Sequence, residues 1–300
     1  MKLLITGAWN FSSEQINQIE KIGHKVIFMQ NEKDNLPCDY AEVEGVVCNG
    51  LFLYHPIEKF VNLKLIQLTS AGFDRVPMDY AKKNNIEVFN ARGVYSIPMA
   101  EFAICGVLQI YKQSRFFCDN QKDGKWEKNR ELLELNGKTV CIVGCGNVGT
   151  ECAKRFNAFG ANVIGVDLFV REDINYEKIY PLSELEERLS ISNVVVLTLP
   201  LTEQTKGLMN TKTFAKMKDN SVLINIARGA VVEEKALINA LDNKLLGAVL
   251  DVFEEEPLSS DNPLWKKKNA IITPHNSFVG DGNNQRLFKV ILGNLSKYKD

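Results

Sequence analysis

TVCIVGCGNVG, residues Thr139 to Gly149, decides the fold. A β-branched apolar run, Thr139 to Val143, ends in Gly144-Cys145-Gly146-Asn147-Val148-Gly149. Val148, Cys152, Phe156 and Phe159 then recur at helical spacing on one face. A bare G-x-G-x-x-G says little. A strand before it, a helix after it and a second strand ending at Asp167, 18 positions beyond the last glycine, make it the phosphate-binding turn of a dinucleotide domain. Gly144 permits the turn, Gly146 lets backbone approach a pyrophosphate, and Gly149 lets the helix lie close on the sheet. The helix N-terminus then presents N–H groups and partial positive charge to the phosphates. Asp167 is expected to accept from the adenosine ribose hydroxyls and to repel a 2'-phosphate, which favours NAD over NADP. Arg171, four residues on, softens that preference.

Outward from this motif, short β-branched runs alternate with amphipathic stretches, so the chain reads as α/β from end to end. Downstream strands are expected at Asn162 to Val166, Asn193 to Leu199, Ser221 to Ala227, Gly247 to Val252 and Ala270 to Thr273. With Thr139 to Val143 they make six, enough for one dinucleotide-binding sheet. Upstream, strands are expected at Leu3 to Thr6, Lys25 to Met29, Gly45 to Asn49, Leu65 to Thr69 and Glu87 to Asn90. Four of these five run into a glycine (Gly7, Gly50, Gly72, Gly93), which suits ligand approach at the carboxyl edge of a sheet. Between the two series, Ser96 to about Phe117 is apolar on nearly every face. It predicts a helix buried on several sides, joining two domains or packing on a second subunit, followed by an exposed arm from Cys118 to Arg130 with Trp126. The tail from about Asp281 carries Leu287, Val290, Ile291 and Leu295 at helical spacing and is expected to fold back onto the N-terminal part.

At 300 residues the chain exceeds the size of one ordinary core, so two domains are expected. A formal charge of −1 offers no general attraction to polyanions, and the run Lys266 to Lys268 reads as a solvated loop, so nucleic acid is not an expected partner. The N-terminus has too short an apolar run for a signal peptide and no stretch approaches membrane-spanning length, which predicts a cytoplasmic protein. Seven cysteines (38, 48, 105, 118, 141, 145 and 152), an odd number without zinc-type pairing, read as reduced, buried thiols. No metal is expected.

Reduction of a ketone needs a proton donor for the developing alkoxide and a cation for a substrate carboxylate. Of the three histidines, His24 in a turn is expected to be solvent-exposed, and His55 beside Pro56 to lie on the surface or a substrate rim. His275 directly follows the last strand at the carboxyl edge of the cofactor sheet. A histidine there gains control of its protonation from a carboxylate partner, and the turn Asp251-Val252-Phe253-Glu254-Glu255-Glu256-Pro257 offers several. Arg228, after the strand Ser221 to Ala227, sets a guanidinium fork at the same edge, suited to a bidentate grip on a carboxylate.

These residues resemble the D-isomer-specific 2-hydroxyacid dehydrogenase family over nearly the whole chain. The matching segments GKTVCIVGCGNVG, LPLTEQTKGLMN, LINIARGAVV, LDVFEEEPL and IITPH stand in the family's order and spacing. The resemblance implies a Rossmann-type doubly wound parallel sheet (96–278) plus a second, flavodoxin-like α/β substrate domain (1–95 with 279–300), and a homodimer through the cofactor domain. It implies Arg228 as substrate clamp, Glu256 as the histidine's partner and His275 as acid/base. It further implies NAD contacts from the glycine motif, Asn147, Val148, Asp167, Leu199, Pro200, Thr205, Ala227, Arg228, Asp251 and His275, and substrate contacts from Ala71 and Gly72 beside Arg228 and His275. Cys145 stands where a larger aliphatic residue is common, and is tolerated because its side chain points away from the phosphates. Asn276-Ser277-Phe278-Val279 replaces the small-residue run of many members, so the substrate does not carry over. The extra C-terminal regulatory domain of some phosphoglycerate dehydrogenases is not expected. The activity implied is an NAD-dependent 2-keto acid reductase. An enzyme of the phosphoglycerate dehydrogenase type, with Arg75 and Lys59 serving a phosphate, and an NAD(H)-sensing corepressor-like protein stay open. Leu51 to Tyr54 would line an apolar pocket for a glyoxylate-, pyruvate- or branched-keto-acid-like substrate, or serve as core. Formate enzymes that resemble the family carry glutamine at the position of Glu256, which argues against a formate-type reading.

Overall fold

The computed structural model describes residues 1–298 and divides the chain into two units, Met1–Tyr95 with Gly280–Asp300, and Ser96–Val279. In the first, β1 (Lys2–Thr6), β2 (Lys25–Met29), β3 (Gly45–Cys48), β4 (Leu65–Leu68) and β5 (Glu87–Phe89) pair in parallel in the order β2-β1-β3-β4-β5. This is the flavodoxin-like order. Every residue of β3 and β4 is buried, as expected of a parallel sheet covered on both faces. Helix α1 (Ser13–Lys21) starts at a reciprocal cap in which Ser12 Oγ accepts from the Gln15 N–H while Gln15 Oε1 accepts from the Ser12 N–H. Helix α2 (Met78–Lys83) precedes β5.

The second unit opens with α3 (Ser96–Tyr111) and α4 (Ser114–Lys122). The continuous helix expected from Ser96 to Phe117 is broken because polar Lys112-Gln113-Ser114 interrupts the apolar pattern and Gln113 turns left-handed, φ 51°. Helix α3 packs within its own unit: Ala100, Ala103, Val107 and Tyr111 share a buried cluster with Val140, Ile142 and Val249. The arm after α4 is exposed, Trp126 at 95%.

Strands β6 (Thr139–Val143), β7 (Asn162–Asp167), β8 (Lys178–Pro181), β9 (Val194–Leu197), β10 (Val222–Asn225), β11 (Gly247–Leu250) and β12 (Ala270–Ile272) form a seven-stranded parallel sheet in the order β12-β11-β10-β9-β6-β7-β8. Helices α5 (Asn147–Ala158), α6 (Leu185–Ile191), α7 (Thr211–Lys216) and α8 (Glu234–Asn243) connect them. The order reverses between β6 and β9, which makes the carboxyl ends of those strands the switch point where doubly wound sheets hold ligands. The sheet has seven strands where six were expected. The additional one, β8, is an edge strand of sequence KIYP with only Ile179 buried, too short and mixed to register as an apolar run.

Helix α9 (Asn283–Leu295) returns to the first unit, where Leu287, Ile291 and Leu295 are buried with Leu3, Ile5, Ile19 and Val47. Each such aliphatic side chain contributes about 1.5–3 kcal/mol on burial. Among the described residues no helix is long and apolar enough to cross a membrane.

Candidate active site

At the switch point, β6 runs into Gly144, whose φ of 96° is left-handed and whose absent side chain would lie 2.6 Å from the Leu199 backbone nitrogen. A side chain at Gly149 would lie 2.2 Å from the Gly144 carbonyl oxygen, so α5 can rest on the turn only as glycine. Gly146 is exposed, faces open space and caps α5 without a side-chain bond. The first N–H groups of that helix therefore remain for an anion. Asp167 ends β7; its Oδ2 accepts from the Cys145 N–H at 2.6 Å and its Oδ1 from the Phe169 N–H at 2.9 Å. That holds the carboxylate on the rim of the glycine turn. Arg171 reaches the same rim, donating to the Cys145 carbonyl, with Asp173 at 3.8 Å. The Cys145 thiol turns inward, toward the carbonyls of Ile142 and Val166, and burial, then the Asp167 charge, pushes its pKa up to about 12. Open amides, a flat glycine surface and a carboxylate on the next strand suit a pyrophosphate and a ribose. Thr205, in the loop after β9, is 2% exposed and closes that loop, donating to the Pro200 carbonyl at 2.7 Å and accepting from the Thr202 N–H at 2.8 Å. Leu199 and Ala227 are buried and Pro200 is exposed.

The acid–base groups stand on three neighbouring strand ends, β10, β11 and β12. After β10, the buried Asn225 side chain shapes the turn, accepting from the Ala227 N–H at 3.1 Å and donating to the Arg228 carbonyl at 3.2 Å. Arg228, half-buried, donates from one guanidinium nitrogen to the Ala227 carbonyl at 2.8 Å. Gly229 next to it lies against the following turn so closely that a side chain would fall 1.8 Å from the Phe253 carbonyl carbon. The Arg228 turn is thereby seated on the turn that carries Glu256.

Glu256 is held by its own turn, Oε1 accepting from the Phe253 N–H at 3.0 Å, and Oε2 lies 2.8 Å from His275 Nδ1. A carboxylate there keeps the proton on Nδ1 and leaves Nε2 to exchange one with a ligand. Nε2 has no hydrogen-bond partner among the described residues, and the side chain is 45% exposed rather than buried. His275 itself sits at φ 49°, a left-handed conformation held from both sides by Asp251. The Asp251 carbonyl accepts from the His275 N–H at 2.8 Å, and its carboxylate accepts from Thr273 Oγ1 at 2.6 Å and from the N–H groups of Asn276 and Ser277 at 2.8 and 2.9 Å. Asp251, 1% exposed, thus frames the histidine.

The other two histidines depart from expectation: both are buried. His24 is 4% exposed, with Nε2 3.1 Å from the Leu295 carbonyl, because α9 covers it. His55 is 6% exposed, between the Tyr40 hydroxyl at 2.8 Å and the Glu32 carbonyl at 3.0 Å. Cys105 and Cys118 are exposed, not buried as expected, whereas Cys48, Cys141, Cys145 and Cys152 are buried. Ala71 and Gly72 lie in the first unit, after β4. Asn90 Nδ2 donates to the Ala71 carbonyl and Ser70 Oγ to the Gly72 carbonyl, while the N–H groups of Ala71 and Gly72 donate to nothing among the described residues. Sequence reasoning missed the framing roles of Asn225, Thr273 and Ser277. Their only signal was a polar residue at a strand end.

The profile of the family described as "D-isomer specific 2-hydroxyacid dehydrogenase, NAD binding domain" matches residues 104–277. The D-3-phosphoglycerate dehydrogenase of Archaeoglobus fulgidus is 35% identical over 280 residues, 92% of this chain but 53% of that protein, so the chain spans about half the length of that relative. The hydroxypyruvate reductase of Thermotoga maritima is 36% identical over 251 residues, 81% of each protein. Among solved structures, the D-lactate dehydrogenase of Aquifex aeolicus, complexed with NAD and lactic acid, is similar at TM-score 0.79 and 27% identity, covering 99% of this chain and 95% of that one. With the glycine turn, Asp167 and the three strand-end residues in place, the chain belongs to the D-isomer specific 2-hydroxyacid dehydrogenase family.

Proposed function

We propose that the chain is an NAD-dependent D-2-hydroxyacid dehydrogenase that interconverts small 2-keto and D-2-hydroxy acids. The observation that carries this reading is the pair of His275 and Glu256, 2.8 Å apart, with the imidazole Nε2 left open, after β12 and β11, the second of which adjoins β10, the strand that leads to Arg228. Bound NADH supplies the hydride to C2. The chain's own residues do the rest. Arg228 grips the carboxylate and steadies charge on the carbonyl oxygen. His275 gives its Nε2 proton to that oxygen, while Glu256 stabilises the imidazolium from the Nδ1 side. In the oxidative direction Nε2 takes the proton back. The N–H groups of Ala71 and Gly72 are assigned to the substrate carboxylate as part of the same proposal.

Asp167, at the ribose position, supports NAD over NADP. A homodimer formed through the NAD-binding unit belongs to the reading, and Trp126, 95% exposed, gives that unit an apolar anchor for a second copy. Steady-state oxidation of NADH with glyoxylate, hydroxypyruvate, pyruvate and phosphohydroxypyruvate tests the activity. Turnover of at least one is expected; NADH binding without turnover of any would favour a sensing protein on the same scaffold.

A further inference from the structure

The carboxyl ends of β1, β3 and β4 are neighbours in the first unit, and the Thr69 N–H donates to the Cys48 carbonyl at 2.9 Å. The segment Asn49-Gly50 after β3 therefore lies beside the Ser70–Gly72 loop after β4. The consecutive N–H groups of Asn49 and Gly50 point at one anion, as such amide pairs commonly do. That anion is the chain's own Glu32. Its Oε1 accepts from the Asn49 N–H at 2.7 Å and from Thr6 Oγ1 at 2.8 Å, and its Oε2 accepts from the Gly50 N–H at 2.7 Å.

The residue is locked at its other end too. Its carbonyl accepts from His55 Nε2 at 3.0 Å, which leaves Nδ1 to accept from the Tyr40 hydroxyl at 2.8 Å. Leu51 is fully buried behind this network and Tyr40 stacks edge-on against Phe60 at 4.9 Å. Of the nearby cations, the Arg75 side chain runs past Gly50, with Cδ 3.6 Å from where a side-chain carbon there would stand. Lys59 lies over the Tyr40 ring at 5.2 Å and Lys33 over the Tyr54 ring at 5.4 Å.

We propose that Glu32 is a built-in plug in an anion nest, a specificity-determining residue that directs the site to 2-keto acids without a phosphate. The proposal rests on the reading of the chain as a 2-keto acid reductase. A phosphate brought to this edge meets amides already filled by a carboxylate, and a fixed negative charge beside them. An uncharged substituent meets neither obstacle.

Hydroxypyruvate and its 3-phosphate ester differ only in the phosphate, so the ratio of their kcat/KM values reads the plug directly. The wild-type protein is expected to prefer hydroxypyruvate. Glu32→Gln, which keeps the shape and removes the charge, should lower that preference about tenfold, leave kcat on hydroxypyruvate intact and make inorganic phosphate a stronger competitive inhibitor. Glu32→Asp, retaining the charge, should stay nearer the wild-type ratio. An unchanged ratio in Glu32→Gln with kcat retained overturns the proposal. If that variant does not fold, the wild-type protein decides: equal or better use of the phosphate ester overturns it, and a preference for hydroxypyruvate sustains it. Failure of the wild type to reduce either keto acid sinks the dehydrogenase reading instead. The plug then stands or falls on calorimetric titration with inorganic phosphate: binding to Glu32→Gln and not to the wild type sustains it, and any other result overturns it.

Discussion

His275 keeps a left-handed backbone, at a cost of order 1–3 kcal/mol, because Asp251 binds the chain on both sides of it. His275→Ala should lower kcat by about 10²–10⁴-fold in steady-state assays, the usual contribution of a positioned acid, and turnover near that of wild type would reject its role. Glu256→Gln keeps a hydrogen-bonding group beside Nδ1 but removes the anion that fixes the tautomer and steadies the imidazolium, so kcat should fall by about 10²–10⁴-fold with little change in NADH binding, and an unchanged kcat would count against the pair. Cysteine reactivity follows burial: with thiols pushed up to about 12, Cys141, Cys145 and Cys152 are almost wholly protonated at pH 8, whereas Cys105 and Cys118 are exposed. Iodoacetamide with peptide mapping should label Cys105 and Cys118 first. Arg228 and His275 could be read from the chain because each stands just after an apolar run that reads as a strand. Which of the acidic residues after β11 meets the histidine could not be read from spacing. Glu256 does so because the Phe253 N–H turns its carboxylate toward Nδ1.

Elements carry the site by ending early. The runs Ser221 to Ala227 and Gly247 to Val252 look like strands throughout, yet pairing stops at Asn225 and Leu250, and the remaining residues peel away into the turns that hold Arg228 and Glu256. An apolar run records burial, and these turn residues are buried as fully as the strands, so periodicity does not separate the two. Gly229 joins the turns. Gly229→Ala puts a methyl group into the Phe253 backbone and should cost about 1–3 kcal/mol in denaturant unfolding, with kcat falling as the Glu256 turn shifts. Wild-type stability in that variant would show that the contact relaxes freely.

Across the whole molecule, the last helix completes the first unit: Leu287 is fully buried with Leu3 and Ile5, more than 280 residues away in the chain. Leu287→Ala should destabilise that unit by about 2–5 kcal/mol, measured by denaturant unfolding, while NADH binding, which belongs to the other unit, is retained. The same long-range closure explains why His24 is buried beside Leu295 although its own neighbours are those of an exposed turn. By itself, the sequence determined the α/β class, the nucleotide turn and the strand-end residues, since each depends on geometry repeated within a few residues of the backbone. Only the tertiary structure decided what frames the His275 turn, how Glu32 fills the Asn49–Gly50 amides and where His24 and His55 go. Those contacts join segments distant in the chain, and local sequence carries no record of which distant surface will cover it.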